Sequence, residues 1–364
     1  MISTSLLEEK LHLNGYGEDE IASMLPKLEE IDRLKQEKNA ILLAHYYQIA
    51  PIQIIADVKG DSLALALAAR NLVKDKRMIV SSTVHFMAEM VKLLNPNKKV
   101  VIPDMSASCS IAEGMNGATV RKIRDHFPNS GIVAYINTTA EVKAEVDSVC
   151  TSANAEAILR AIPGNPVIML PDHYFAKNVF ADMKTRGIDN RDYLSYRGIE
   201  NGKIALEEMN GTVIPLDTRK ENNPSRDTGV CIVHEAFTPS DILLHKEQGV
   251  DLILAHPEVK PEIGRYANMV GGTKKMIDYL KDKPRAKNVL FITECDMAAP
   301  LREAYPEKNF VTPCRFCPYM KKNNLDNVIF SLREEEYEIN IDPLIANRAK
   351  KSLDRMFELM GGKI

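Results

Sequence analysis

Cys109, Cys231 and Cys317 are the residues most able to do chemistry together. Cys109 and Cys231 each stand where an apolar run meets a polar turn, and Cys317 opens Cys317-Pro318-Tyr319-Met320 far down the chain. Thiolates gathered from distant parts of a chain hold a metal ion or an iron–sulfur cluster. Six cysteines in 364 residues are no disulfide scaffold, so reduced thiols and a cytoplasmic setting are expected. Cys314-x-x-Cys317 alone also reads as half a zinc site or as a redox pair. No second Cys-x-x-Cys or His-x-x-x-His is present to complete a zinc site. Cys150 and Cys295 read as small buried hydrophobes.

A second set of reactive residues follows other apolar runs. His45-Tyr46-Tyr47-Gln48 comes after one, Tyr135-Ile136-Asn137 closes another, and His234-Glu235 and His256-Pro257-Glu258 follow two more. In parallel α/β sheets, ligands bind beyond the carboxyl ends of the strands. One histidine at such a place is ordinarily a hydrogen-bonded loop residue; the number of them here is what suggests a site. Three turns, Gly60-Asp61-Ser62, Thr151-Ser152-Ala153-Asn154 and Gly271-Gly272-Thr273, each open a helix-like stretch. Free backbone donors with a hydroxyl beside them hold carboxylate or phosphate, or merely cap the helix. Three such turns point to a substrate with several negative groups.

The elements that must position these residues alternate. Short apolar runs include Ala40-Ile41-Leu42-Leu43-Ala44, Met78-Ile79-Val80, Val100-Val101-Ile102, Val167-Ile168-Met169-Leu170, Val230-Cys231-Ile232-Val233, Leu252-Ile253-Leu254-Ala255 and Val289-Leu290-Phe291-Ile292. Their length and β-branched content predict strands buried on both faces. Amphipathic stretches such as 62–72 and 274–281 lie between them, which predicts parallel α/β units. The runs group into three small α/β domains: 1–110 with an N-terminal helix, 111–228, and 229–318, followed by a helical extension at 319–364. The interval from Cys109 to Cys231 exceeds that from Cys231 to Cys317 by about the length of a polar stretch at 181–226, read as a hairpin or lid inserted in a repeated unit.

The composition is 45% hydrophobic and 27% charged with net charge -3, which argues against nucleic acid as a partner. No run approaches the ~20 apolar residues of a membrane span. The first residues lack a basic region followed by an apolar one, so no secretory leader is expected.

Taken in order, the motifs resemble those of the iron–sulfur quinolinate synthase A family. They are Ala44-His45-Tyr46-Tyr47-Gln48, Gly60-Asp61-Ser62-Leu63, Phe86-Met87-Ala88-Glu89, Ser106-Ala107-Ser108-Cys109, Tyr135-Ile136-Asn137 and Cys150-Thr151-Ser152-Ala153-Asn154-Ala155. Pro171-Asp172, Gly229-Val230-Cys231-Ile232-Val233-His234-Glu235, His256-Pro257-Glu258 and Cys317-Pro318-Tyr319-Met320 follow. The resemblance implies three αβα sandwich domains with parallel sheets in a pseudo-threefold arrangement, the active site at the centre. It implies one 4Fe-4S cluster per chain on Cys109, Cys231 and Cys317, with one iron open to substrate. It implies condensation of iminoaspartate with dihydroxyacetone phosphate to quinolinate, in NAD biosynthesis, with the iminoaspartate supplied by an aspartate-oxidising enzyme. A monomer or homodimer is expected.

By motif match, His45, Ser62, Ser152 and Thr273 are anion binders, and Tyr135 and Asn137 orient substrate. Glu258, with Tyr47, His256 and His234, carries the proton traffic, and a raised pKa is expected for Glu258. The chain departs from the pattern at Gly272, where many members have Ser, and at Val259, where Cys is common. It has two cysteines near its end where some members have three, which leaves Cys314 an extra thiol, inert or redox-active. Other readings are an aconitase-like hydro-lyase, an iron–sulfur carrier or sensor, and a zinc-stabilised domain. A carrier ordinarily closes its cluster with four thiolates and has no use for the His, Tyr and Glu residues.

Overall fold

The computed structural model describes residues 2–188, 190–217 and 224–361. β1 (Ala40–His45), β2 (Val58–Gly60), β3 (Met78–Ser82) and β4 (Lys99–Val101) form a parallel sheet in the order β2-β1-β3-β4. A middle sheet contains β5 (Gly131–Tyr135), β6 (Ser148–Cys150), β7 (Val167–Leu170), β8 (Tyr193–Glu200), β9 (Lys203–Glu208) and β10 (Val213–Asp217). β11 (Leu252–Ala255), β12 (Met269–Val270), β13 (Asn288–Ile292) and β14 (Asn309–Val311) form a third, parallel sheet in the order β12-β11-β13-β14. Read from β6, the middle sheet runs β6-β5-β7-β8 before its last two strands. One strand order therefore recurs three times.

The strands are buried on both faces because alternate side chains enter different cores. In β1, Leu42 and Ala44 pack with the N-terminal helices, while Ile41 and Leu43 pack with the opposite layer. β11 divides Leu252 and Leu254 from Ile253 and Ala255 in the same way. Each fully buried Leu or Ile contributes ~1.5–3 kcal/mol, so a register slip of one residue would exchange the two cores at great cost. The helix Glu18–Glu37 lays Ile21, Leu28, Ile31 and Leu34 on the first core. The helix Leu325–Glu334 returns to that core through Leu325, Val328 and Leu332. The helix Pro343–Leu359 packs Leu353, Met356 and Phe357 on the middle one. No helix among the described residues is long and apolar enough to cross a membrane.

Three expectations need correction. The middle sheet is not wholly parallel: β8 pairs parallel with β7, but β9 and β10 continue antiparallel. The polar stretch at 181–226 is accordingly only partly an insertion. It supplies β8, the fourth strand of the recurring order, and only the β9–β10 hairpin is added, as an extension of the sheet edge. Residues 189 and 218–223 of that stretch lie outside the described residues. Finally, Val230-Cys231-Ile232-Val233 is not a strand. Cys231 precedes a one-turn helix, Ile232–Glu235, because a four-residue apolar run suits a buried helical turn as well as a strand.

Candidate active site

The carboxyl ends of the three sheets meet at a pocket of about 70 Å³. Each sheet contributes in a corresponding way. The first strands end at His45, Tyr135 and, one residue beyond β11, His256; the turns after the second strands bring Ser62, Ser152 and Thr273. Cys109 follows β4, Cys317 follows β14, and Cys231 follows the segment leaving the β8–β10 edge. All nine line the pocket, as do Tyr47, Asn137 and Glu258. Asn137 Oδ1 is buried without a hydrogen-bond partner, which is unusual for a buried amide and suits a group that awaits a ligand.

The loops carrying the cysteines are tied to one another. The Ser110 hydroxyl donates to Val230 O at 2.9 Å and accepts from Ile232 N at 3.1 Å, so the residue after Cys109 brackets Cys231. Gly114 presses on Gly229: a Cβ there would lie 2.3 Å from the Gly229 Cα, so any side chain would part the two loops. Tyr319, in the Cys317 loop, donates to Glu113 Oε2 at 2.7 Å. The buried Glu294 accepts from Cys317 N at 3.2 Å, and Lys321 bridges Glu294, Asp296 and the Tyr47 carbonyl. Burial pushes the Cys109 and Cys231 thiols up, and neighbouring sulfur charge adds to this, Cys317 acting on both and Cys109 on Cys231. Such thiols ionise readily only against a cation. Among the described residues, the set of three ligand atoms that closes to within 4.8 Å is Cys231, His234 and Glu258. The three sulfurs form no such set, although all three cysteines line the one pocket.

A hydrogen-bonded chain crosses the pocket wall. Tyr135 donates to Glu258 Oε1 at 2.7 Å, and His234 Nδ1 lies 2.7 Å from Glu258 Oε2. His234 Nε2 is 3.0 Å from Thr293 Oγ1, which is 2.8 Å from the Tyr47 hydroxyl. His256 stacks on His234 with ring centroids 4.5 Å apart. The sequence led us to expect a raised Glu258 pKa, from a cluster and substrate anions beside it, and burial acts in the same direction. Instead the carboxyl is held well below its usual range by His256, His234 and Tyr135. Burial pushes His256 itself down to about 3. His256 is then neutral, and the donors His234 and Tyr135 are what keep Glu258 anionic. Burial, then the Glu258 charge, pushes Tyr47 and Tyr135 well up, and burial takes His45 down to about 3. The pocket therefore presents a carboxylate, two protonated phenols and neutral imidazoles.

The three cysteines and the ten residues given binding or proton-transfer roles come together here, although His234 stands behind Glu258 rather than on the lining. Sequence reasoning missed Thr293, Ser110 and Asn178. The Asn178 amide donates to Pro257 O and Val259 O, 2.8 Å each, and so grips the Glu258 loop from the middle layer. A single hydroxyl or amide of this kind has no spacing signal. Cys295 is not an isolated hydrophobe: it is disulfide-bonded to Cys314, with Cα atoms 5.2 Å apart, and neither lines the pocket.

The family model described as "Quinolinate synthetase A protein" matches residues 29–358. A Sinorhizobium fredii protein named quinolinate synthase is 38% identical over 342 residues, covering 93% of this chain and 84% of its own. Quinolinate synthase 1 of Mesorhizobium japonicum is 39% identical over 335 residues, covering 90% and 91%. A quinolinate synthase of Xylella fastidiosa is 37% identical, covering 91% and 87%.

Proposed function

The chain belongs to the quinolinate synthetase A family, and from that premise we propose how its pocket makes quinolinate. Iminoaspartate and dihydroxyacetone phosphate condense, and phosphate and two waters leave. The observation that carries this reading is the arrival of Cys109, Cys231 and Cys317, one from the end of each sheet, at a pocket that also holds Glu258 and Tyr47. The three thiolates would hold a 4Fe-4S cluster with one iron free of protein ligands. When bound, such a cluster supplies a Lewis acid for a departing hydroxyl.

The chain's own residues do the rest. Ser62, Ser152 and Thr273 offer hydroxyls, and neutral His45 a hydrogen bond, to the carboxylates and the phosphate. Tyr135 and Asn137, whose Oδ1 is unpartnered, orient the carbon skeleton. Environment divides the acid–base roles. Glu258, kept anionic by His234 and Tyr135, begins as the proton acceptor, and Tyr47, kept protonated by burial, begins as the donor. His256 packs the pair in place. The domain bounds 1–110, 111–228 and 229–318 go with this reading, supported by the spans of the three sheets. So do a cytoplasmic location, a monomer or homodimer, and supply of iminoaspartate by an aspartate-oxidising enzyme. The hydro-lyase alternative finds no support among the named relatives.

The test is anaerobic purification, iron and sulfide counting, and an assay with both substrates. Quinolinate formed only when both are present, by protein with about four irons per chain, supports the reading. Protein without sulfide, or turnover without the triose phosphate, overturns it.

A further inference from the structure

A larger cavity, about 690 Å³, opens beside the pocket between the middle and third layers. Among the described residues, Ser152 alone lines both spaces. The partition beside it is thin. Gly271 and Pro257 face the outer cavity, and their neighbours Thr273, His256 and Glu258 face the inner pocket. At Gly272 a Cβ would come within 2.3 Å of Ser152 Oγ. Gly272 is therefore packed directly on Ser152, at the boundary between the two spaces.

The charges are unevenly divided across that boundary. No Lys or Arg occurs among the described residues lining the inner pocket, which instead holds Glu258 and Asp61. Its histidines His45 and His256 are neutral at ordinary pH. The outer cavity is lined by Arg160, Arg265 and Lys275, with Glu156 and Asp182. Both acids are already engaged: Arg186 pairs with Glu156 and Asp182, and Arg160 with Glu156. Arg265 and Lys275 have no carboxylate partner among the described residues. The stem of Lys275 lies across Gly271, where a Cβ would come within 2.7 Å of the Lys275 Cδ.

A multiply charged anion does not enter a net-negative, low-dielectric pocket unless something attracts it to the mouth. Cations on the wall of a cleft do so by raising the local anion concentration. We propose that this outer cavity is the vestibule for the phosphorylated substrate, with Arg265 and Lys275 gathering its phosphate monoester dianion beside the boundary that Ser152 shares with the inner pocket. The inference rests on the activity proposed above for the substrate's identity. It adds two residues that touch neither the cluster site nor the reacting atoms.

The test is the association rate constant of dihydroxyacetone phosphate with the anaerobic holoenzyme, read by stopped-flow absorbance at about 20 mM and about 300 mM salt. Arg265→Gln/Lys275→Gln should slow association about five- to tenfold at low salt, with the difference closing at high salt. Arg265→Glu/Lys275→Glu should slow it further. Lys274→Gln/Lys281→Gln removes the same charge from helix positions that do not line the cavity, and should leave association unchanged. Iron content and melting temperature equal to wild type keep misfolding out of the comparison. An unchanged association rate in the first double variant, or an equal loss in the control, overturns the vestibule. Quinolinate formation by the wild type is scored separately: its absence overturns the activity, whereas normal formation with insensitive variants overturns the vestibule alone.

Discussion

The Tyr47 hydroxyl lies 2.8 Å from Thr293 Oγ1, and through that hydroxyl the first and third sheets share one hydrogen-bonded chain. Thr293 is fully buried at the end of β13 and also reaches His234 Nε2 at 3.0 Å. His234 in turn holds Glu258, which accepts from Tyr135 of the middle sheet. The donor Tyr47 and the acceptor Glu258 are thus held by a common set of side chains drawn from all three layers, and displacement of one member changes the others.

Thr293→Val should therefore lower kcat although Thr293 does not line the pocket. The substitution keeps the shape and leaves the Tyr47 hydroxyl and His234 Nε2 short of a partner, and a drop of about 10- to 100-fold is expected. Thr293→Ser restores the hydroxyl and should recover most of it. Steady-state assays of both variants at matched iron content decide the matter. A normal Val variant, or a Ser variant as poor as Val, would remove Thr293 from the machinery.

Glu258→Gln preserves size and can still accept from Tyr135, but it cannot take up a proton. The variant should keep its iron and sulfide and lose at least about 100-fold in kcat. Near-normal turnover would show that the depressed pKa of Glu258 serves only to anchor His234.

Cys109→Ser, Cys231→Ser and Cys317→Ser should each abolish the brown colour and the activity, because each removes one sheet's share of the cluster site. Cys314→Ser should keep both. Its sulfur is paired with Cys295 outside the pocket, so its loss frees a loop without removing a ligand. Visible absorbance and iron counts read this directly, and a colourless Cys314→Ser protein would overturn the ligand assignment.

How far these sites were legible depended on how local their signals are. β1, β7 and β11 stand out because four or more consecutive apolar residues must be covered on both faces, and His45 and His256, at the ends of β1 and β11, could be read as strand exits. Tyr193–Glu200 was hidden because an outer strand flanked by a hairpin carries Arg197 and Glu200 on its wetter positions and reads as loop. Val230–Val233 misled in the opposite sense: its burial comes from Gly229 packing on Gly114 and from Ser110 bracketing the turn, both far away in the chain. Thr293 and Asn178 were invisible because a lone polar residue acquires its meaning only from partners that the fold brings to it. The direction of the Glu258 shift failed for the same reason. Neighbouring anions could be foreseen, but the donors on either side of the carboxylate could not.

Acid should loosen the join between the first sheet and the C-terminal extension. Glu335 follows the helix Leu325–Glu334 and receives Arg77, Lys38 and Lys99, from the edges of β1, β3 and β4. Its pKa falls from 4.5 to about 2, chiefly through Arg77. A carboxylate whose folded pKa is depressed binds protons more readily when unfolded. Its stabilisation is therefore fully present above the unfolded value of 4.5 and is lost as pH falls from there through about 2. A network of exposed pairs of this size is worth about 1 kcal/mol. Glu335→Gln should lower urea stability by that amount at neutral pH, and the gap to wild type should narrow steadily below about pH 4.5. A gap that stays constant from neutral pH down to about pH 3 would mean that Glu335 acts through its place at the helix end and not through its charge.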